Sequence, residues 1–298
     1  PNLVKGSRTR FRNSGAKDDP QDARLIADIL RTDQNRLQCW KPDSSLTRQI
    51  RKKVSFIHFL TINIVRMTNR QRAVLRRYHP AAIDLFSGLK TQIAQHFILE
   101  FPTPQATNSL DLVTFRSFAK HHHYTHPHKL AGILAKLETP YPQADLGIVE
   151  ACQGEAQGLA RLLLEMIQLK LVNLKELQKL LDQHPDRDIY ASLPGTSVYL
   201  QAGLISKFGD DRQRFPSTSR VQALAGTSPI TVSSGKRKYV RFRRSCDHEF
   251  RLIAQQWAKL SLRSSVWANV YYSNVRPKCN SESHAFRCLA NRWLAILW

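Results

Sequence analysis

Two groups of residues in this 298-residue chain have types and spacings suited to phosphodiester chemistry. Asp19 and Asp22 stand three apart at the start of a helical stretch, so both carboxylates can share one face. Facing carboxylates commonly hold Mg²⁺ for phosphoryl chemistry. Acids also favour helix starts for capping and the helix dipole alone, and spacing leaves both readings open. The second group is Ser233-Ser234-Gly235, followed by Lys236, Arg237, Lys238, Tyr239, Val240, Arg241, Phe242, Arg243 and Arg244. Six of those nine following residues are basic, so the run is suited to neutralising phosphates, and its aromatics can stack or pack. A serine on a flexible turn beside the run could attack a phosphate held there, yet no local motif activates its hydroxyl. The plainer alternative is a Ser-Gly turn next to a solvated basic face.

Two further clusters are weaker candidates. The Leu193-Pro194-Gly195 turn resembles the hairpin of helix-hairpin-helix modules, whose backbone amides meet phosphates, which makes Gly195 a candidate nucleic-acid contact. Ser197 stands where such modules carry a second glycine, and a simple interhelix turn fits equally. His121, His122, His123, His126 and His128 crowd a polar, proline-containing stretch. No acid or cysteine sits among them at ligand spacing, so a solvated loop is the better reading. Trp257, Trp267, Tyr271, Tyr272, Trp293 and Trp298 read as core and helix contacts rather than base-stacking platforms.

Composition narrows the partners. Lys and Arg number 45 against 23 Asp and Glu, giving +22 at pH 7 and a pI near 10.2. The excess is uneven: after Ser234 there are 13 basic and 3 acidic residues, which points to a phosphate-facing C-terminal surface. With 42% hydrophobic residues the chain can bury cores, which excludes wholesale disorder. No run approaches the length of a transmembrane helix, and no amphipathic basic helix or lipidation signal points to a membrane. Five cysteines at scattered positions argue against a disulfide framework and a zinc ribbon. The start, Pro1-Asn2-Leu3-Val4-Lys5, carries no Met and no signal pattern, so the chain reads as a fragment or processed product of a soluble intracellular protein.

The elements that must position these residues are mostly helical. Asp19 caps a helix with Pro20 in its first turn. From Leu46 to Tyr78, Leu46, Ile50, Val54, Ile57, Leu60, Ile64 and Met67 recur near a 3.5-residue period, which predicts a long helix coiled with a partner. Residues 81–150 read as shorter helices between prolines. A second long helix is expected from about Gly154 to Leu181, antiparallel to the first. Residues 188–298 form a helical unit with a turn at Pro194-Gly195, a loop at Ser233-Ser234-Gly235 and two final helices.

Several segments together resemble one family. Ser14-Gly15-Ala16-Lys17-Asp18-Asp19-Pro20-Gln21-Asp22-Ala23 is similar to the end of the acidic site in DEDD-type transposases of the insertion sequence 110 family, related to the Piv invertases. Leu193-Pro194-Gly195 with Phe208-Gly209-Asp210 resembles the start of that family's second domain. Ala225-Gly226-Thr227-Ser228-Pro229 with Thr231-Val232-Ser233-Ser234-Gly235-Lys236 resembles its serine signature. Ala268-Asn269-Val270-Tyr271-Tyr272 and Ala285-Phe286-Arg287-Cys288-Leu289-Ala290-Asn291-Arg292-Trp293 resemble its C-terminal helices.

The resemblance implies a mainly α chain with three regions. Residues 1–40 would be the remnant of an RNase-H-like (RuvC-like) α/β domain, 41–184 a coiled-coil insertion and 185–298 a helical transposase domain. It implies a recombinase that cuts and rejoins DNA with Mg²⁺ and a serine. Ser234 inherits the nucleophile's place, with Ser233 as fallback; Asp19 and Asp22 inherit the last two acidic positions, and Asp18 is a neighbour. Implied partners are DNA, a guide RNA encoded by the element, and further copies of the chain as a dimer or tetramer, acids and serine coming from different subunits. The implied location is cytoplasmic, at the nucleoid. The family's first Asp and its Glu fall before residue 1, so the chain as given is expected to be truncated, with little strand exchange. The rivals are a non-catalytic DNA- or RNA-binding remnant and a coiled-coil adaptor.

Overall fold

The computed structural model describes residues 4, 6–7, 18–37, 39, 41–137, 141–235 and 237–298. It divides into two units, residues 1–43 and 44–298. The structure is mainly helical, and a two-stranded antiparallel ribbon is the one sheet among the described residues.

In the first unit, α1 spans Asp19–Asp33. Its cap is Asp18 rather than the expected Asp19. Asp18 has the extended backbone a cap requires, and its carboxylate accepts from the Gln21 amide at 2.7 Å. Such a cap contributes about 1 kcal/mol. Pro20 tolerates the first turn because its missing N–H would have had no partner there. Leu25 and Ile29, one turn apart, are buried.

The second unit is built on two long helices, α2 (Ser45–Tyr78) and, after the short helices α3 (Gln92–Glu100), α4 (Pro104–Asn108), α5 (Leu112–His121) and α6 (Leu130–Leu137), α7 (Leu146–Asp182). Ser44 caps α2 by accepting from the Thr47 amide at 3.2 Å. Ile50, Val54, Ile57, Leu60 and Ile64 form its buried seam. The helices run antiparallel: Lys53 pairs with Glu176, and Arg70 with Glu155 at 2.6 Å. These exposed pairs contribute little; the seam holds the helices together.

Beyond α7 come α8 (Arg187–Ala191), α9 (Val198–Phe208), α10 (Thr218–Leu224), the strands β1 (Ile230–Ser234) and β2 (Arg237–Arg241), then α11 (His248–Ser261), α12 (Val266–Val275) and α13 (Glu282–Leu297). Three helices therefore follow the ribbon where two were expected.

Two cores sit at opposite ends of the long pair. One joins Ile50 and Val54 of α2 and Leu177 and Leu181 of α7 to Leu204, Ile253, Trp257 and Leu289. The long helices and the C-terminal helices thus share a core across residue 184. The other joins Val74, Leu75 and Tyr78 to Phe97, Phe115, Leu130, Ala156 and Ala160. Within it the buried amides of Gln71 and Gln95 donate to each other at 2.7 and 3.0 Å, so burial leaves those carbonyl groups satisfied.

A polar clasp closes the first core. The Asp186 amide donates to His184 Nδ1 at 3.1 Å, leaving Nε2 to carry the proton toward Thr47 Oγ1 at 3.1 Å. The Thr47 hydroxyl donates on to Asp210, whose second oxygen accepts from the Ser44 amide. Burial alone would raise the Asp210 pKa, but the hydroxyl and amide bonds outweigh it and hold the group below its ordinary value.

Candidate active site

The ribbon presents the serines. Its register pairs Ile230 with Arg241, Thr231 with Val240, Val232 with Tyr239, Ser233 with Lys238 and Ser234 with Arg237. Side chains directly opposite each other share a face, and faces alternate along a strand. Ser234 therefore shares its face with Arg237, Tyr239 and Arg241. Ser233 lies on the reverse face with Lys238 and Val240. Each serine has its own cation directly across the ladder. Gly235, at φ +55°, begins the turn in a conformation that disfavours larger residues. Lys236, expected to contact nucleic acid, lies outside the described residues.

Ser233, Ser234, Arg237, Lys238 and Arg241 are all exposed. The expected loop is thus a solvent-exposed ribbon. The ribbon covers no core of its own, so its order rests on its root.

That root is densely tied. Phe242, just after β2, has two guanidinium groups over its ring, Arg251 at 4.5 Å and Arg287 at 4.6 Å. Contacts of this kind stabilise by roughly 0.5–2 kcal/mol each. Arg251 also donates to the Arg243 carbonyl and to Cys246 Sγ. Gly226 leaves room for that guanidinium, because a Cβ there would stand 2.5 Å from Arg251 Nη2. Thr227 donates to the Asn291 side chain at 2.8 Å, and Gln222 to the Asn291 carbonyl at 2.9 Å. Arg243, expected to face nucleic acid, turns inward and donates to the Ser228 and Pro229 carbonyls at 3.2 and 3.3 Å. Arg244 is exposed.

Gly195 has a packing role. It adopts φ +74°, and a Cβ would stand 2.5 Å from the Ser261 backbone nitrogen at the end of α11. The Pro194 carbonyl beside it accepts from the Trp257 indole at 3.1 Å. Trp257 stacks on Trp293, which donates to Ser261 Oγ at 2.9 Å. The turn between α8 and α9 is thereby fixed against α11.

Asp19 and Asp22 lie in the first turn of α1, Asp19 exposed and Asp22 half-buried. Their oxygens are hard donors of the kind Mg²⁺ takes, one or two carboxylates being completed by water and phosphate. Asp18 is engaged by the Gln21 backbone and side chain. The acids and the serines belong to different units of the chain.

The expected histidine loop is partly ordered by its own contacts: His122 stacks on His96 and bonds Glu100. A cluster that sequence reasoning missed lies elsewhere. The ligand atoms of Cys279, His284 and Cys288 are all within 4.8 Å of one another. Its signal was the i, i+4 spacing of His284 and Cys288 on one helix face, with a cysteine five residues ahead of the histidine.

Comparison with known proteins places the chain. A family model described as a transposase, of the DEDD type of insertion sequence IS110, matches residues 1–80. A second, described as the transposase IS116/IS110/IS902 family, matches residues 187–273, which include the ribbon. A mini-circle putative transposase for IS117 from Streptomyces coelicolor is 30% identical over 303 residues, covering 97% of this chain and 72% of the relative. The chain belongs to the IS110 family of transposases. Another relative of this transposase is an uncharacterized 43.6 kDa protein of insertion element IS110 from the same species, 22% identical over 95% of the chain and 70% of the relative. A putative transposase from Sinorhizobium fredii is 30% identical over 41% of the chain and 34% of its own length. Among the described residues of the transposase, no helix is long and apolar enough to cross a membrane.

Proposed function

We propose that this transposase breaks and rejoins DNA through Ser234, with Arg237 holding the phosphate that Ser234 attacks and Arg241, four rungs away on the same face, holding another phosphate of the same backbone. The observation that carries this reading is the ladder register: Ser234 lies at the exposed end of the ribbon, directly across from Arg237. In the step, the Ser234 oxygen forms a bond to phosphorus and loses its proton to a base or solvent. The bond from phosphorus to one deoxyribose oxygen breaks, and that oxygen takes up a proton. The phosphate charge grows during attack, and the Arg237 guanidinium on the same face offsets it. Reversal of the step with a different sugar hydroxyl rejoins the strand.

Asp19 and Asp22 are the residues that would hold Mg²⁺. The ion, when bound, supplies charge neutralisation at the phosphate oxygens. In line with the family resemblance, we infer that a complete centre draws the serine and the acids from different subunits of a dimer or tetramer. The basic ribbon also suits a structured guide RNA encoded by the same element, which would supply sequence recognition that phosphate contacts lack. The test is a covalent protein–DNA adduct formed with matched DNA and RNA and resolved on a denaturing gel. It is expected in low yield with the parent chain and with Ser233→Ala, and absent with Ser234→Ala. An adduct that persists in Ser234→Ala and disappears in Ser233→Ala moves the nucleophile to the reverse face.

A further inference from the structure

We propose that Cys279, His284 and Cys288 form a binding site for a zinc-class divalent cation that fastens the segment before α13 onto that helix. The three ligand atoms come from two pieces of chain. Cys279 is buried at the end of the turn Arg276–Lys278. His284 and Cys288 lie one helical turn apart in α13, both half-buried. All three ligand atoms already stand within 4.8 Å of one another.

Tetrahedral zinc, with bonds of about 2.3 Å to sulfur and 2.0–2.1 Å to nitrogen, needs ligand atoms roughly 3.5–3.8 Å apart. Side-chain rotations moving these atoms by about 1 Å therefore close the site without shifting the helix. Two sulfurs and an imidazole are a soft donor set, which favours zinc over the hard cations that carboxylates hold. Three protein ligands leave one position to water. The segment that carries Cys279 is already braced, because Arg276 donates to the Cys279 carbonyl at 3.2 Å. On binding, each thiol releases its proton to solvent as its sulfur bonds the cation, and no electron is transferred. Two thiolates and Zn²⁺ sum to zero charge, so the cation adds no net charge beside Arg287 and Arg292.

The site has a structural consequence for the ribbon. Arg287, adjacent to Cys288, is one of the two cations stacked on Phe242. A cation holding the Cys288 turn would fix Arg287 against the ribbon root. The cluster lies beyond residues 187–273, so it is independent of the serine reading.

The experiment uses the full chain, reduced and stripped of metal, titrated with Co²⁺ and then with Zn²⁺. One equivalent of Co²⁺ is expected to give sulfur-to-cobalt absorption, which Zn²⁺ then abolishes by displacement. Cys279→Ser and Cys288→Ser each remove that absorption. His284→Asn weakens Zn²⁺ binding by more than about tenfold. Alkylation mapped by mass supplies a readout that needs no variant: Zn²⁺ protects Cys279 and Cys288 but leaves exposed Cys39 reactive. No sulfur-to-cobalt absorption, absorption that survives both serine variants, or equal alkylation of all three cysteines with Zn²⁺ present would each overturn the site.

Discussion

Ser234 and Arg237 face each other on the last rung of an exposed ribbon, with two residues between them in sequence. This pairing sets the expected behaviour of neighbouring serines. Ser234→Ala is expected to abolish strand cleavage and adduct formation while DNA affinity changes less than about twofold, because a hydroxyl is a minor part of a phosphate-dominated interface. Ser233→Ala should retain cleavage within about tenfold, since its side chain points to the reverse face. Cleavage assays with affinity measured in parallel decide this, and equal loss in both variants would sink the facial assignment.

The basic run divides into cations aimed outward and one turned inward. Arg237→Ala with Arg241→Ala should weaken DNA binding for all sequences and lower the slope of log affinity against log salt by about 2. Arg243→Ala should leave that slope unchanged and instead speed amide exchange across β1 and β2, because its guanidinium bonds the Ser228 and Pro229 carbonyls. A slope reduced as much by Arg243→Ala as by Arg241→Ala contradicts this division.

Gly195→Ala should destabilise the second unit by about 2–4 kcal/mol, combining a left-handed backbone with a methyl driven into the Ser261 backbone. Chemical denaturation reads this directly. A loss below about 0.5 kcal/mol, the range of neutral surface changes, would mean that the turn relaxes away from α11.

His79 gives the fold a pH dependence. It ends α2 at 1% exposure, and burial lowers its pKa from 6.5 to about 4 despite a backbone hydrogen bond at Phe101. The unfolded chain therefore binds a proton more readily than the folded one. The stabilisation from neutral His79 is complete above pH 6.5 and is lost as pH falls toward 4. Between pH 7 and 5 the loss is about 2 kcal/mol. Denaturation of His79→Leu at both pH values should show that much less pH dependence than the parent, and identical pH dependence would refute the assignment.

The long helices were legible because burial imposed a period. Ile50, Val54, Ile57, Leu60 and Ile64 mark α2 to within a residue of its observed start. The other long helix begins at Leu146, eight residues before its expected start near Gly154, because Leu146 and Ile148 are exposed and its first turns show no apolar stripe. The ribbon reads as a loop in the sequence for the same reason: neither of its faces is buried, so alternation has nothing to report. Asp18 and Asp19 are adjacent acids, and only the backbone angles distinguish the cap from the first helical residue. The inward turn of Arg243 depends on carbonyls fourteen and fifteen residues earlier in the chain, which a basic run cannot reveal.

The anchorage of Phe242 by the guanidinium groups of Arg251 and Arg287 has a mechanical consequence. Five residues of strand reach about 17 Å beyond that fixed point. A lone two-stranded ribbon is marginal in water. The Ser234 hydroxyl thus sits at the free end of a cantilever that is held at its base. A polyanion bound along its length would brace the arm from root to tip, so grip and stiffness would arrive together.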